Sequence, residues 1–183
     1  MDDLLTRHDL GPVTRLTLSR PATYNALSLE MIEALIAALA WIDDETRVVI
    51  LAAEGKAFCA GHDLRQMQAM APDQLAHLFD RCAHLMQMIP ALPQPVIAQV
   101  QGVATAAGCQ LVASCDLAVA AESAGFAAPG GKGGWFCHTP MVAIARNVGR
   151  KRAMELALTG DVIDARTALY WGLRRARCRG RPG

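Results

Sequence analysis

Two stretches of this sequence carry small residues where a backbone could approach a ligand closely. The first, Ala57-Phe58-Cys59-Ala60-Gly61-His62-Asp63-Leu64, follows the apolar run Val48-Val49-Ile50-Leu51, and Gly61 admits backbone angles closed to other residues. The second, Gly102-Val103-Ala104-Thr105-Ala106-Ala107-Gly108-Cys109-Gln110, joins a predicted strand to a predicted helix. A small-residue turn at a helix N-terminus presents unpaired N–H donors and the positive end of a dipole. Two such loops together can hold an oxygen that gains negative charge, and one donor of this kind is worth about 3–4 kcal/mol in a transition state. Close packing of a strand on a helix demands the same small residues, so neither loop decides the matter alone.

Side chains that could add acid, base or nucleophile chemistry near these loops are His62, Asp63, Cys109, Asp116, Cys137 and His138. His62 follows a glycine and can face either the pocket or solvent, with solvent the expected side. Asp116 is expected to hydrogen-bond a neighbouring loop. Cys137 and His138 form a conceivable nucleophile pair, but adjacent residues seldom aim at each other. The loop Pro129-Gly130-Gly131-Lys132-Gly133-Gly134 lacks the Gly-Lys-Ser/Thr ending of a phosphate loop and reads as a mobile active-site loop. The six cysteines form no CxxC pair. Several lie in apolar segments, which predicts buried reduced thiols and no metal site.

Elements able to position these groups can be read from periodicity. Leu4 to Asp9 and Val13 to Leu18 flank Gly11-Pro12 and predict a hairpin. Ser28 caps a predicted helix with Ile32, Leu35, Ile36, Leu39 and Ile42 on one face, closed by Asp43-Asp44-Glu45. A buried strand over Val48 to Leu51, a loop from Glu54 to Asp63 and a helix over Pro72 to Ile89 follow, the last broken by Pro90, Pro93 and Pro95. Val96 to Gln101 is a strand, Gly102 to Ala107 a turn, Gly108 to Ser114 a helix and Asp116 to Ala120 a strand. Helices are predicted over Met141 to Asn147, Arg150 to Leu158 and Asp164 to Trp171. Strands alternating with helices imply an α/β fold with a mainly parallel sheet.

A chain of 183 residues, 52% of them hydrophobic, suits one domain with a large core. The net charge of +1 argues against a nucleic-acid binder, and no stretch reaches the length of a membrane span. Met1-Asp2-Asp3 lacks the basic and apolar regions of a secretory signal, so a cytoplasmic location is expected. Residues 1–173 read as the core domain. Residues 174–183, rich in Arg and Gly, read as a disordered or frame-shifted tail, either a solvated basic segment or an RNA-binding arm.

The ordered blocks Arg20-Pro21…Asn25-Ala26-Leu27, Phe58 to Leu64, Pro95-Val96-Ile97-Ala98…Gly102…Ala107-Gly108-Cys109…Cys115-Asp116 and Leu158-Thr159-Gly160-Asp161 resemble the enoyl-CoA hydratase/isomerase (crotonase) superfamily. The stretch Ala104 to Asp116, followed by Trp135 to Pro140, is similar to one subgroup, the enoyl-CoA hydratase domain-containing protein 3 type. The resemblance implies a ββα spiral core, acyl-CoA thioesters as ligands, coenzyme A entering as part of the substrate with no separate cofactor, and a homo-oligomer, a trimer or hexamer. It also implies a C-terminal helical segment missing here, hence a truncated C-terminus. By motif position, the backbone N–H groups of His62 and Ala107 correspond to the oxyanion hole. Ala60, Asp63, Leu64 and Arg65 would line the CoA wall, and Lys56 either approaches a CoA phosphate or is a solvated surface lysine.

The pattern departs at two places. The family's two catalytic glutamates fall at Gln110 and Gly130. An amide cannot lose and regain a proton near neutral pH, and each missing transfer costs about 10²–10⁴-fold in rate. The resemblance therefore implies enoyl-CoA hydratase/isomerase-type chemistry in fatty acid metabolism with ordinary hydration impaired. The alternative is a non-catalytic acyl-CoA binder or oligomer partner.

Overall fold

A two-residue turn, Gly11-Pro12, reverses the chain between β1 (Leu5–Leu10) and β2 (Val13–Leu18), and Gly11 takes φ 60 to allow it. The computed structural model describes residues 4–174, 176 and 177. From β2 the chain passes through a 3-10 turn, Pro21–Thr23, into α1 (Leu29–Ala40). Ser28 caps α1, its hydroxyl accepting the Met31 N–H at 3.3 Å. Helix α1 ends at Ala40, three residues short of the acidic run expected to close it.

Beyond α1 a repeating unit of two strands and a helix sets the architecture. The first unit is β3 (Val48–Ala53), β4 (Ala57–Cys59), α2 (Leu64–Ala69) and α3 (Pro72–Ala91). The second is β5 (Val96–Val100), β6 (Val103–Thr105) and α4 (Ala107–Ser114). The third is β7 (Leu117–Ala120), β8 (Gly125–Ala127), a 3-10 turn at Pro129–Gly133 and α5 (His138–Val148). Then come α6 (Arg150–Thr159), β9 (Ile163–Asp164), α7 (Ala165–Trp171) and β10 (Ala176–Arg177).

The first strand of each unit enters one sheet and the second enters another. Among the described residues the larger sheet has the order β1-β2-β3-β5-β7-β10, and the smaller runs β4-β6-β8-β9. Among the described residues only β1–β2 and β8–β9 are antiparallel. This is the ββα spiral that the family resemblance implies, and its sheets are mainly parallel as the alternation of strands and helices predicts.

Leu16 of β2, Leu35 of α1, Leu51 of β3, Leu85 of α3, Val96 of β5 and Leu111 of α4 surround one point in the core. Each side chain so buried contributes about 1.5–3 kcal/mol, so the helices are held mainly by their apolar faces.

Five short strands were not anticipated, the two-residue β9 and β10 among them. The loop expected over Glu54–Asp63 contains β4, the turn expected over Gly102–Ala107 contains β6, and β8 precedes the loop at Pro129. Helix α3 also runs one residue past Pro90. Of the tail set apart at residues 174–183, Arg174 is buried, with Nε donating to the Ala165 carbonyl at 2.5 Å, and the 176–177 backbone pairs with β7. The other tail residues lie outside the described residues.

Candidate functional site

The segment before α1 clasps the first small-residue loop. Asn25 is fully buried at φ 54, an angle that Asn tolerates better than most residues. Its Oδ1 accepts the Arg20 N–H at 2.9 Å, and its Nδ2 donates to the Glu54 and Ala57 carbonyls at 2.8 and 2.9 Å. Next to it the Ala60 N–H donates to the Tyr24 carbonyl, and Leu27 bridges the loop by accepting from Asp63 and donating to Gly61. The loop leaves through Asp63, whose Oδ1 accepts the Arg65 and Gln66 N–H groups at 3.0 and 3.2 Å and caps α2.

The second loop enters α4 through Ala106, at φ 50 and ψ −120. A positive φ in a residue bearing a Cβ costs about 1–3 kcal/mol unless its surroundings enforce it. Here the Ala106 N–H donates to Ala127 at 2.9 Å and its carbonyl accepts from Gln110 at 3.0 Å.

The two loops abut. A Cβ built on Gly61 (φ 88) would lie 3.0 Å from the Ala106 Cβ, 3.0 Å from the Thr105 carbonyl oxygen and 3.2 Å from the Ala107 nitrogen. The Thr105 hydroxyl donates to the Ala60 carbonyl at 2.9 Å. At the second residue of α4, a Cβ on Gly108 would lie 2.1 Å from the Cys59 carbonyl oxygen. Glycine at these positions is therefore required for close approach. Among the described residues, neither the His62 nor the Ala107 N–H donates to a protein acceptor.

His62 does not point to solvent as expected. Its ring stands edge-on to Phe79, with centroids 5.3 Å apart, and its Nε2 is buried without a hydrogen-bond partner. Burial disfavours the charged form and pushes its pKa down to about 4. Gln110 is 6% exposed, and its Oε1 is likewise buried without a partner. At Gly130 a Cβ would lie 2.6 Å from the Trp135 carbonyl oxygen and 2.7 Å from the Cys137 sulfur, so any side chain there would have to displace its neighbours.

Of the remaining candidates, Cys109 is buried and its thiol is pushed up to about 12 by desolvation, which removes it as a nucleophile near neutral pH. The Asp116 Oδ2 accepts the Val96 N–H at 2.8 Å, the structural role expected of it. His138 is exposed and lies edge-on to Phe136, 5.1 Å between centroids. Lys56, Ala60, Leu64 and Arg65 are exposed around the first loop. Cys59, Cys82, Cys109 and Cys115 are free and buried. Among the described residues no group of three or more His, Cys, Asp or Glu side chains could hold a metal, and no helix is long and apolar enough to cross a membrane.

Sequence reasoning missed Asn25 and Thr105 as the residues that tie the loops together. An Asn beside a 3-10 turn and a Thr inside a run of small residues were the available signals.

The enoyl-CoA hydratase/isomerase family model matches residues 10–178. Enoyl-CoA hydratase domain-containing protein 3, mitochondrial, of Danio rerio is 49% identical over 169 residues, covering 91% of this chain and 58% of that protein. The Homo sapiens protein of the same name is 46% identical over 167 residues, 90% of this chain and 55% of that one. The chain thus spans little more than half the length of these relatives. Among solved structures, human enoyl coenzyme A hydratase domain-containing protein 3 matches with TM-score 0.93 and 42% identity, covering 97% of this chain and 71% of that one. A Mycobacterium smegmatis enoyl-CoA hydratase matches with TM-score 0.92 and 50% identity, covering 95% and 69%. The cytoplasmic expectation is overturned by these names. The Danio rerio and Homo sapiens relatives are both named mitochondrial, and the residues Met1-Asp2-Asp3 carry no information against that location.

Proposed function

The chain belongs to the enoyl-CoA hydratase/isomerase family, and on that premise we propose that it binds an acyl-CoA thioester with the His62 and Ala107 N–H groups on the thioester oxygen. The observation that carries the reading is the abutment of the two loops. Gly61 packs on Ala106 and Ala107, and the adjoining N–H groups at 62 and 107 have no protein acceptor among the described residues. An N–H without an acceptor costs about 1–3 kcal/mol where water is kept from it, and a carbonyl oxygen would serve both. A thioester oxygen gains negative charge as its carbonyl is attacked or enolised, so donors fixed beforehand stabilise the reacting form more than the resting one.

Ordinary hydration has less support. Gln110 offers an amide where the family places a carboxylate, and the space beside Gly130 holds the Cys137 sulfur. The reading is therefore a thioester site that polarises a carbonyl and lacks the paired acids for adding water. Lys56 and Arg65, exposed and flanking the first loop in sequence, would meet the phosphates of coenzyme A.

Calorimetry with acetyl-CoA and free CoA tests this. The expected outcome is tighter binding of the thioester, together with crotonyl-CoA hydration no faster than about 10⁻² of the rate shown by a relative holding both acids. Equal affinity for acetyl-CoA and free CoA would remove the carbonyl from the account.

A further inference from the structure

The charge of this chain is unevenly placed. Residues 146–183 hold ten Lys and Arg against three Asp and Glu, while residues 1–145 hold eight against fourteen. The near-neutral total conceals an acidic body and a basic end, and such asymmetry marks a chain that meets an anionic surface. The fold gathers part of the basic end into one corner, where α5 ends, α6 begins and α7 ends. A Cβ on Gly172, just past α7, would lie 3.2 Å from the Asn147 carbonyl oxygen near the end of α5. In the first turn of α6, the Arg152 guanidinium lies over the Tyr170 and Trp171 rings of α7, 5.3 and 5.7 Å from their centroids, and donates to the Trp171 carbonyl at 3.3 Å.

Arg146, Arg150 and Lys151 are exposed at this corner, and among the described residues none of the three forms an ion pair. Even Glu155, one turn after Lys151, does not pair with it. Helix α6 has no acid in its first turn, so its dipole adds to the same positive field. Apolar side chains are interleaved with the cations. Val142 lies one turn before Arg146 on α5 and Met154 one turn after Arg150 on α6, each pair on one helix face. Val142, Met154, Leu169 and Tyr170 are all exposed, Tyr170 the most although Arg152 lies over its ring. The mixture selects the occupant. A polyanion in water, such as RNA, would pair with the cations and leave the aliphatic groups wet. A bilayer interface offers phosphates and, just beneath them, acyl chains, and tyrosine favours that boundary.

We propose that this corner seats the protein on a bilayer bearing anionic phospholipid, with Arg146, Arg150 and Lys151 among the headgroup phosphates and Leu169 and Tyr170 at the acyl boundary. The contact is peripheral, since among the described residues no helix is long and apolar enough to cross a membrane. Residues 175–183 hold four further Arg and no acid, which extends the same charge along the sequence. Leu158, at the opposite end of α6, is left outside the contact.

Co-sedimentation of the full chain with two kinds of vesicle tests this, phosphatidylcholine alone and phosphatidylcholine with about one third phosphatidylglycerol. Each Lys or Arg near an anionic surface strengthens binding about fivefold, so the three exposed cations should favour the anionic vesicles about a hundredfold at low salt. Added salt should shrink that preference. Replacing the three together, Arg146→Gln, Arg150→Gln and Lys151→Gln, should remove most of it. A single-stranded RNA at equal phosphate concentration should fail to displace the protein from the vesicles. Equal binding to both kinds of vesicle, or a triple variant that keeps the full preference, would overturn the proposal. Displacement by RNA would do so too, and would assign the corner to nucleic acid instead. The vesicle and RNA comparisons need no variant, so a triple variant that fails to fold leaves them decisive.

Discussion

His62 serves two purposes at once, its N–H as a proposed donor and its ring as a wall, and the ring makes a prediction independent of any ligand. An unfolded histidine titrates near 6.5, whereas burial against Phe79 lowers the native value to about 4. The unfolded chain therefore takes up this proton first as pH falls. Stability from this group is complete above about pH 6.5, declines between 6.5 and 4, and is lost below. The decline should approach about 3 kcal/mol, at 1.4 kcal/mol per pKa unit. Urea unfolding at pH 7.5 and pH 4.5 of the unaltered protein and of His62→Phe should show the larger fall in the former. Carboxylates held low, such as Glu33 hydrogen-bonded to Arg81, lose their contribution in both proteins alike. Parallel pH curves would mean that the native imidazole is not desolvated. At this scale the sequence identified His62, Ala107, Gln110 and Gly130 as positions of interest from motif order. It missed the inward turn of the His62 ring, which depends on Phe79, 17 positions later in the chain, and no local pattern encodes that contact.

Elements were legible in proportion to their length. Helices α1 and α3 present several apolar residues at helical spacing, enough for a pattern to rise above chance. Strands β4, β6 and β8, three residues each, offer too little chain for alternation to register, and their Ala and Gly content reads as turn. Yet these three strands belong to the four-stranded small sheet from which both donor loops lead, so the parts hardest to read are the parts that set the site. Gly108 shows how tightly they are joined to α4. Gly108→Ala would place a methyl 2.1 Å from the Cys59 carbonyl oxygen, backbone that cannot rotate away. The helix must then move off β4, at a cost of about 1–3 kcal/mol. Thermal unfolding should fall by about 2–4 °C for each kcal/mol, and the preference for acetyl-CoA over free CoA should shrink with it. An unchanged Tm together with an unchanged preference would show that α4 does not need this contact.

Across the whole molecule, the core draws buried side chains from both sheets, while exposed apolar side chains recur between residues 135 and 170. Trp135 is 57% exposed, Leu158 66%, Val162 60% and Tyr170 80%, with Phe136, Val142, Met154 and Leu169 also exposed. Single exposed apolar residues are ordinary, but this many within one stretch of chain leave apolar area whose covering would favour association. Burial of such side chains is worth about 25 cal/mol per Å² removed from water, so covering even a part of this face by a second copy offsets much of the entropy lost on pairing. The homo-oligomer implied by the family resemblance gives the same expectation by a separate route. Sedimentation velocity should show species larger than the monomer, increasing with protein concentration. Replacing Leu158 and Val162 together by Glu should shift that distribution toward monomer, because two like charges would face their counterparts across any shared surface. Both positions are more than half exposed in the single chain, so the change should leave the melting temperature of the dilute protein nearly unaltered. A single sharp monomer boundary for the unaltered protein at every concentration would show that this face stays bare, and the surface would then need a different occupant.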